Sequence, residues 1–345
     1  MNDIIRVLIT GVGGDLGQAL VKALKISKKP ISCYGCDSNP NGIGSAFCKS
    51  FHIVPTASDP NYRNDLSELC NRLAIDAVIP STEQEIQILC RTGNPPKLPS
   101  GTPVVCLDAD FIETYGDKLK CMQALQDEID LAPFADGEDP AAVSGLVQKS
   151  GFPLVIKGRN SWGSNQRRIA NNNTELRASL STTPRPMVQA FIDETGGEYS
   201  AGVYSHQGFT SALVFRREIG PVGNSWFAET SDDKSVIEYV TKIARATALK
   251  GSANIQVRKT TRGVRLLEIN TRFSSLVAAR AACGFRDAEW SLEIALGLKL
   301  SVPQHDYKSI RFQRYFHELI DFGDGYRALQ DWYPDSVQTE SRETS

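Results

Sequence analysis

Two short stretches, Asn254-Ile255-Gln256-Val257 and Leu266-Leu267-Glu268-Ile269-Asn270-Thr271-Arg272, gather residue types that can bind a metal ion. Read as strands, they alternate faces. Ile255, Val257, Leu267 and Ile269 then point into a core, and Gln256, Glu268 and Asn270 point the other way. Thr261-Arg262-Gly263 suits a three-residue hairpin loop with glycine in the left-handed position. That register sets Gln256 opposite Glu268. One carboxylate and two side-chain amides on one face offer oxygen ligands to a hard cation such as Mg²⁺, shared with substrate phosphates. Arg272 lies just beyond. A surface hairpin with a solvated polar face has the same pattern, and these residues alone leave both readings open.

Two lysines carry a second signal. Lys118 follows the first stretch of alternating strands and helices. Lys157 ends the strand Phe152–Lys157, just before the polar loop Gly158-Arg159-Asn160-Ser161-Trp162-Gly163-Ser164. Lysine as a point charge suits nucleotide phosphates, and backbone N–H groups of a small-residue loop can cover the rest. Taken singly, either lysine reads better as a surface residue.

A third signal is the glycine-rich turn Gly11-Val12-Gly13-Gly14-Asp15-Leu16-Gly17, which follows a strand and opens a helix. Asp37 lies about twenty residues on, where a dinucleotide-binding fold places a ribose-binding acid. A tight turn packing helix on strand needs the same glycines. The Tyr-x-x-x-Lys pair of short-chain dehydrogenases is absent from the chain.

The elements that must position these residues alternate. Strands at Arg6–Thr10, Ile31–Cys36, Asp76–Pro80 and Thr102–Leu107 interleave with helices at Gln18–Lys25 and up to Leu89, which implies a parallel sheet covered on both faces. This pattern ends near residue 108. Helix Asp117–Gln126, a helix start at Asp139-Pro140 and the strands Phe152–Lys157, Arg167–Ala170 and Met187–Ile192 follow. Strands around one helix, Ser235–Leu249, run to Phe273, then helices at Leu276–Cys283 and Asp287–Leu296. The polar stretch 335–345 is expected to be a mobile tail.

The formal net charge of −2 gives no electrostatic case for nucleic acid or an anionic membrane. The chain enters a strand-like run at once, so no signal peptide is expected, and no apolar run is long enough to span a bilayer. The eight cysteines are scattered through core-forming segments, which fits free thiols in a reducing cytoplasm. Cys33-Tyr34-Gly35-Cys36 has no second cysteine pair and no histidine cluster beside it, which argues against a zinc or redox site.

Together these features resemble the ATP-grasp superfamily, and in particular one ATP-binding half of the carbamoyl-phosphate synthase large subunit. Asn254-Ile255-Gln256 followed by Glu268-Ile269-Asn270-Thr271-Arg272 is similar to the synthase pattern Asn-Val-Gln and Glu-(Met/Ile)-Asn-Pro-Arg. Ala281-Ala282-Cys283-Gly284-Phe285, Asp117-Lys118, Phe152–Lys157 and Arg314-Tyr315-Phe316-His317-Glu318 extend the likeness. Thr271 stands where the family has proline, and Gln189 where it often has glutamate. Trp162 is unusual for the phosphate loop.

The resemblance implies a mixed α/β and α+β fold. A Rossmann-like pre-ATP-grasp domain (1–108) precedes a lid and central part (109–188) and a C-terminal part with the metal site (189–334). It implies that Lys118 and Lys157 contact nucleotide phosphates and that Gly163 and Ser164 close over them. Gln189, Ala190, Phe191 and Ile192 would form the adenine hinge, partly through backbone groups, and Glu198 would bind ribose. Gln256, Glu268 and Asn270 would hold Mg²⁺ (or Mn²⁺), and Arg272 would steady the transferring group. Arg216, Arg217 and Arg280 are further candidates to clamp a carboxylate or phosphate, with a solvated surface pair as the alternative for the first two. Glu83 and Glu85, beyond a strand end, are candidates for an amine or sugar hydroxyls.

The function implied is an ATP-dependent carboxylate–amine or carboxylate–ammonia ligase working through an acyl phosphate. Small molecules would be its partners and a homodimer the default assembly. The rivals are an NAD(P)-dependent oxidoreductase using the Gly11 turn and Asp37, and a non-catalytic nucleotide-binding partner subunit.

Overall fold

A computed structural model describes residues 4–160, 167–220, 223–301, 307–315, 318–321 and 326–328. Residues 1–312 form one compact unit and 313–345 a second. The first unit opens with β1 (Ile5–Ile9), α1 (Asp15–Lys25), β2 (Ile31–Asp37), β3 (Phe51–Ile53), α2 (Tyr62–Leu73), β4 (Ala77–Ile79) and α3 (Glu83–Leu89). The four strands make a parallel sheet in the order β3-β2-β1-β4. Val7, Leu8 and Ile9 are buried completely, as expected of a parallel strand covered on both faces.

The expected strand Thr102–Leu107 is reduced to two isolated bridges, a parallel one from Val104 to Val78 and an antiparallel one from Pro103 to Lys97. Pro103 has no N–H for a ladder, although its carbonyl accepts from Val78 at 2.9 Å.

Next come α4 (Ala109–Tyr115), α5 (Lys118–Leu125), β5 (Phe134–Asp136), α6 (Pro140–Ser150), β6 (Leu154–Gly158), β7 (Arg167–Ala170), α7 (Asn173–Thr182) and β8 (Pro186–Ala190). Their strands form an antiparallel sheet ordered β5-β8-β6-β7. Asp139 caps α6 by accepting from Ala141 and Ala142, with Pro140 at the first helical position, so the expected helix start is the observed one.

The rest is built on β9 (Glu198–His206), β10 (Phe209–Ile219), β11 (Ser225–Ser231), α8 (Lys234–Ala246), β12 (Gly251–Thr260), β13 (Gly263–Asn270), α9 (Val277–Cys283), α10 (Asp287–Ala295) and β14 (Arg311–Gln313). The six strands run in the order β13-β12-β9-β10-β11-β14. One sheet face carries Ala201, Val203, Ala253, Ile255 and Val257 against Val236, Val240 and Ile243 of α8. The opposite face is polar at one end and is covered by α9 and α10 at the other. In the second unit, β15 (Leu319–Asp321) pairs antiparallel with β16 (Tyr326–Ala328). The stretch 335–345 lies outside the described residues.

The β12–β13 hairpin keeps the expected pairing of Gln256 with Glu268, and Asn254 faces Asn270. Two details differ. Thr260 pairs with Gly263, so the loop has two residues, and Gly263 takes a φ of +104°. The register also shifts after Gln256, so that Val257 opposes Leu266. This bulge leaves Leu267 as the extra residue on its strand. Leu266 is therefore the residue buried in the core, and Leu267 turns toward the cavity described below. Leu266→Ala is expected to lose roughly 2–5 kcal/mol in urea unfolding, as for other fully buried leucines. Leu267→Ala should lose clearly less; equal losses would contradict the bulged register.

Candidate functional site

Three separate segments meet at one cavity of about 170 Å³. The first is the start of α5. Asp117 caps it by accepting from the N–H groups of Leu119 (3.0 Å) and Lys120 (3.2 Å). The same carboxylate pairs with Arg159 (3.0 Å) and Arg185 (3.3 Å), and the Lys118 N–H donates to the Arg159 carbonyl at 3.0 Å. The cap thus ties the first helical residue, Lys118, to the end of β6. Burial alone would raise the Asp117 carboxyl pKa, but the Arg159 contact overrides it and holds the group below its ordinary value.

The second segment is β6, which delivers Lys157. The third is the β12–β13 hairpin, which delivers Gln256, Glu268 and Asn270. Lys118 Nζ stands 3.4 Å from Glu268 Oε2, and Asn270 Nδ2 donates to Glu268 Oε1 at 3.2 Å. Lys157 Nζ donates to Gln189 Oε1 at 3.0 Å and reaches the Leu267 carbonyl at 3.5 Å. The bulge at Leu267 presents that carbonyl to the lysine.

The electrostatics follow from this packing. Burial would raise the Glu268 carboxyl pKa, yet the Lys118 and Lys157 charges hold it below the usual carboxylate range. Burial pushes Lys157 down to about 8, only partly offset by Glu268. Six cationic side chains line the cavity (Lys118, Lys157, Arg167, Arg217, Arg258 and Arg272) against two carboxylates, Glu198 and Glu268. Six minus two leaves a formal excess of four positive charges, in a chain whose net charge is −2.

Glu198 is engaged at both oxygens. Oε1 accepts from Arg217 Nη2 (2.6 Å) and Nε (3.1 Å), and Oε2 from Arg258 Nη2 (2.6 Å). Burial opposes its ionisation, but the two guanidiniums hold its pKa below the ordinary value. Its carboxylate therefore orients the two arginines, a different task from the ribose contact implied by the resemblance. Arg217 Nη2 also donates to Gln256 Oε1 at 2.8 Å. Strand alternation separates the neighbours: Arg217 turns into the cavity, and Arg216 is exposed.

At the hinge, Gln189, Ala190 and Ile192 line the cavity and Phe191 does not. The Ala190 N–H donates to the Pro133 carbonyl (2.8 Å), the Phe191 N–H to Pro153 (3.2 Å), and the Ile192 carbonyl accepts from Arg258 Nη1 (3.0 Å). Those backbone groups are engaged. Gln189 Nε2, in contrast, is buried with no partner among the described residues. Lys157 fixes the amide by taking Oε1, which leaves a donor in a buried wall of the cavity. Such groups are normally satisfied, and a ligand acceptor is one way to satisfy this one.

Several expected residues lie elsewhere. Arg280 is 1% exposed, is bound to Asp287 (2.7 Å) and Ser274 (2.6 Å), and does not line the cavity. Gly202 makes room for it, since a Cβ there would sit 2.3 Å from its Cδ. Its guanidinium is a buried structural pair, so the clamp role is corrected. Glu85 is buried in a capping box with Thr82 and accepts from Thr10 (2.7 Å) and Tyr62 (2.8 Å), which leaves it no part in the cavity. Glu83 pairs with Arg272 and links the first sheet to the cavity wall. Gly163, Ser164 and Trp162 lie outside the described residues. Asp37 accepts from the Gly13 N–H at 2.8 Å and from Asn39 at 2.9 Å. It closes the glycine turn on itself, and a Cβ on Gly17 would lie 2.5 Å from the Gly11 carbonyl oxygen. The glycines thus serve close packing, and the dinucleotide reading loses its ribose acid.

The residues missed by the sequence reading are Arg258 and Arg167. Arg258 shares its strand face with Asn254 and Gln256 at two-residue spacing, so the alternation already in use would have found it.

Among the described residues no group of three or more His, Cys, Asp or Glu side chains is placed to hold a metal. Glu268 with the Gln256 and Asn270 amides is an all-oxygen set with a single charge. It fits a Mg²⁺ ion that keeps waters and takes its remaining ligands from phosphates, and it does not fit a tightly caged structural metal.

Comparison with known proteins agrees with this fold. The family described as ATP-grasp in the biosynthetic pathway with Ter operon matches residues 183–316, and the PylC-like N-terminal domain family matches residues 7–98. The biotin carboxylase domain of Hydrogenobacter thermophilus 2-oxoglutarate carboxylase, solved as a dimer with MgADP, ADP and bicarbonate, superposes with a TM-score of 0.70. It is 14% identical, with 88% of this chain and 72% of that one covered. An ADP complex of N5-carboxyaminoimidazole ribonucleotide synthetase gives 0.69 at 14% identity over 90% and 82%. A β,γ-ATP complex of Campylobacter jejuni biotin carboxylase gives 0.69 at 14% over 87% and 72%. Two family models thus match separate parts of this chain, an ATP-grasp family over residues 183–316 and a PylC-like N-terminal domain over residues 7–98, on a fold that it shares with these structures.

Proposed function

We propose that the protein is an ATP-dependent ligase that joins a small carboxylate to an amine or ammonia through an acyl phosphate, releasing ADP and phosphate. The observation that carries this reading is the excess of four cationic side chains in one cavity, beside an all-oxygen metal face. A polyanion such as a nucleoside triphosphate balances that charge, and an apolar or cationic ligand does not. Nucleotides also occupy the structures named above.

In the first step a carboxylate oxygen attacks the γ-phosphorus and ADP leaves. In the second the amine nitrogen attacks the acyl carbon, phosphate leaves and the nitrogen loses a proton. Lys118 and Lys157 neutralise phosphate oxygens, and Gln189 Nε2 donates to the nucleotide. Arg272, held by Glu83, faces the transferring phosphoryl group, and Arg217, held by Glu198, stands beside Gln256. Gln256, Glu268 and Asn270 would hold Mg²⁺, which supplies charge neutralisation and orientation of the phosphates when bound. Positioning and charge stabilisation of this kind supply most of the catalysis in phosphoryl transfer. All eight cysteines are free, in keeping with a cytoplasmic setting, and no described helix is long and apolar enough to cross a membrane. A homodimer is the proposed assembly, to be read by light scattering.

Glu268→Gln keeps the side-chain shape and removes the charge. It is expected to lower ADP release, screened over acid–amine pairs, by roughly 10²-fold or more, with the melting temperature of the free protein little changed. Unchanged ADP release would overturn the ligase reading.

A second prediction follows from Lys157. Its depressed pKa of about 8 leaves it partly neutral in the free protein above that pH. A bound triphosphate favours the charged form, so binding takes up a proton and tightens as pH falls from about 9 toward 7. Calorimetry of Mg-ATP binding at pH 8.5 in two buffers of different ionisation enthalpy measures the uptake. Proton release, or none, contradicts the assignment.

A further inference from the structure

A second cavity, of about 410 Å³, lies between the first sheet, the far end of the six-stranded sheet and α10. Its volume exceeds the roughly 170 Å³ of the nucleotide cavity, and it falls in the range of sites that hold small organic ligands. Of the residues lining the two, only Arg272 is common to both.

Its walls are largely apolar, with Pro80, Ile86, Leu107, Phe273 and Ile294 among them. The polar groups gather where β9 ends and β12 begins. Ser252 pairs with Tyr204 and Gly251 with Ser205, so Lys250 and His206 come together at the ends of adjoining strands. Tyr204 is completely buried, packed against Trp290 with ring centroids 5.2 Å apart, and its hydroxyl has no partner among the described residues. A buried hydroxyl normally finds a hydrogen bond. Burial also pushes its pKa up, so it remains a donor. Tyr204, His206, Lys250 and Arg272 offer donors and positive charge around an apolar chamber, and among the described residues Asp108 is its only lining carboxylate.

We propose that this cavity is a second ligand site, for a small carboxylic acid with an aromatic or branched apolar body. The body lies against the proline and aliphatic walls, and the carboxylate meets Lys250 and His206 with the Tyr204 hydroxyl behind them. The wall Thr271-Arg272-Phe273 continues directly from Glu268 and Asn270, so occupancy is transmitted to the nucleotide cavity through Arg272. The site stands whether or not the ligase reading does.

Saturation-transfer NMR on the full chain tests it with phenylacetate, 3-phenylpropionate, indole-3-acetate and 4-methylpentanoate, and with their carboxamides as controls. At least one acid should bind saturably, roughly tenfold more tightly than its amide, as one charge-assisted contact provides. That binding should persist with saturating Mg-AMPPNP. It should weaken by roughly fivefold or more in Lys250→Met, an exposed position that leaves the core intact, and in Tyr204→Phe, which keeps the ring. Absence of binding by all four acids, equal binding of the amides, displacement by the nucleotide, or undiminished binding in both variants would overturn the proposal. With Mg-ATP added, consumption of the acid marks a substrate, and an unchanged acid that alters nucleotide affinity marks an effector; either supports the site. Nucleotide binding is scored separately, so failure of the ligase reading shows as loss of the ATP response with acid binding retained.

Discussion

The contact on which the rest depends is the Glu268 carboxylate facing two lysines from two different layers. Lys118 comes from the start of a helix and Lys157 from the end of a strand in the smaller antiparallel sheet. Burying an ion costs several kcal/mol unless its partners are close, so the carboxylate and the lysines stabilise one another only while both layers stay docked. The geometry of the cavity is thereby tied to the packing of the whole first unit. The arrangement remains unbalanced, because the arginines around it outnumber the remaining acid. That imbalance suits the cavity to the polyanion proposed for it.

Each charged group at the centre is held by a second one behind it. Asp117 caps the helix that carries Lys118 and pins it to Arg159. Glu198 holds Arg217 and Arg258, and Glu83 holds Arg272. These supporting carboxylates fix the direction of long, flexible side chains before a ligand arrives, which reduces the entropy lost on binding. The Glu83–Arg272 pair also ties the parallel-sheet part of the chain to the cavity: a residue just beyond the carboxyl-terminal edge of its strands holds one wall residue, Arg272, in place.

Much of this was legible in the sequence. The pairing of Gln256 with Glu268 was read correctly from alternation, although the loop has two residues and not three and the bulge at Leu267 makes up the difference. The helix starts near Asp117 and Asp139 were readable because short-range side-chain contacts determine them. The bulge at Leu267 was not readable, because two adjacent leucines satisfy either register and tertiary packing chooses between them. Arg280 misled for a related reason. An arginine suited to clamping a ligand has the same local sequence as one buried against Asp287, and only Gly202, distant in the chain, opens the notch that takes it. The role of Asp37 likewise depended on which way a carboxylate turned after the strand ended, which spacing cannot specify.

The most direct test of the central claim is a crystal structure with Mn²⁺ and AMPPNP, read by the anomalous signal of the metal. The account predicts a manganese peak within about 2.0–2.3 Å of oxygen atoms from Glu268 and Asn270, bridged to phosphates that reach Lys118 and Lys157. Nucleotide bound at the Gly11 turn beside Asp37, or phosphates placed with no metal near Glu268, would contradict it.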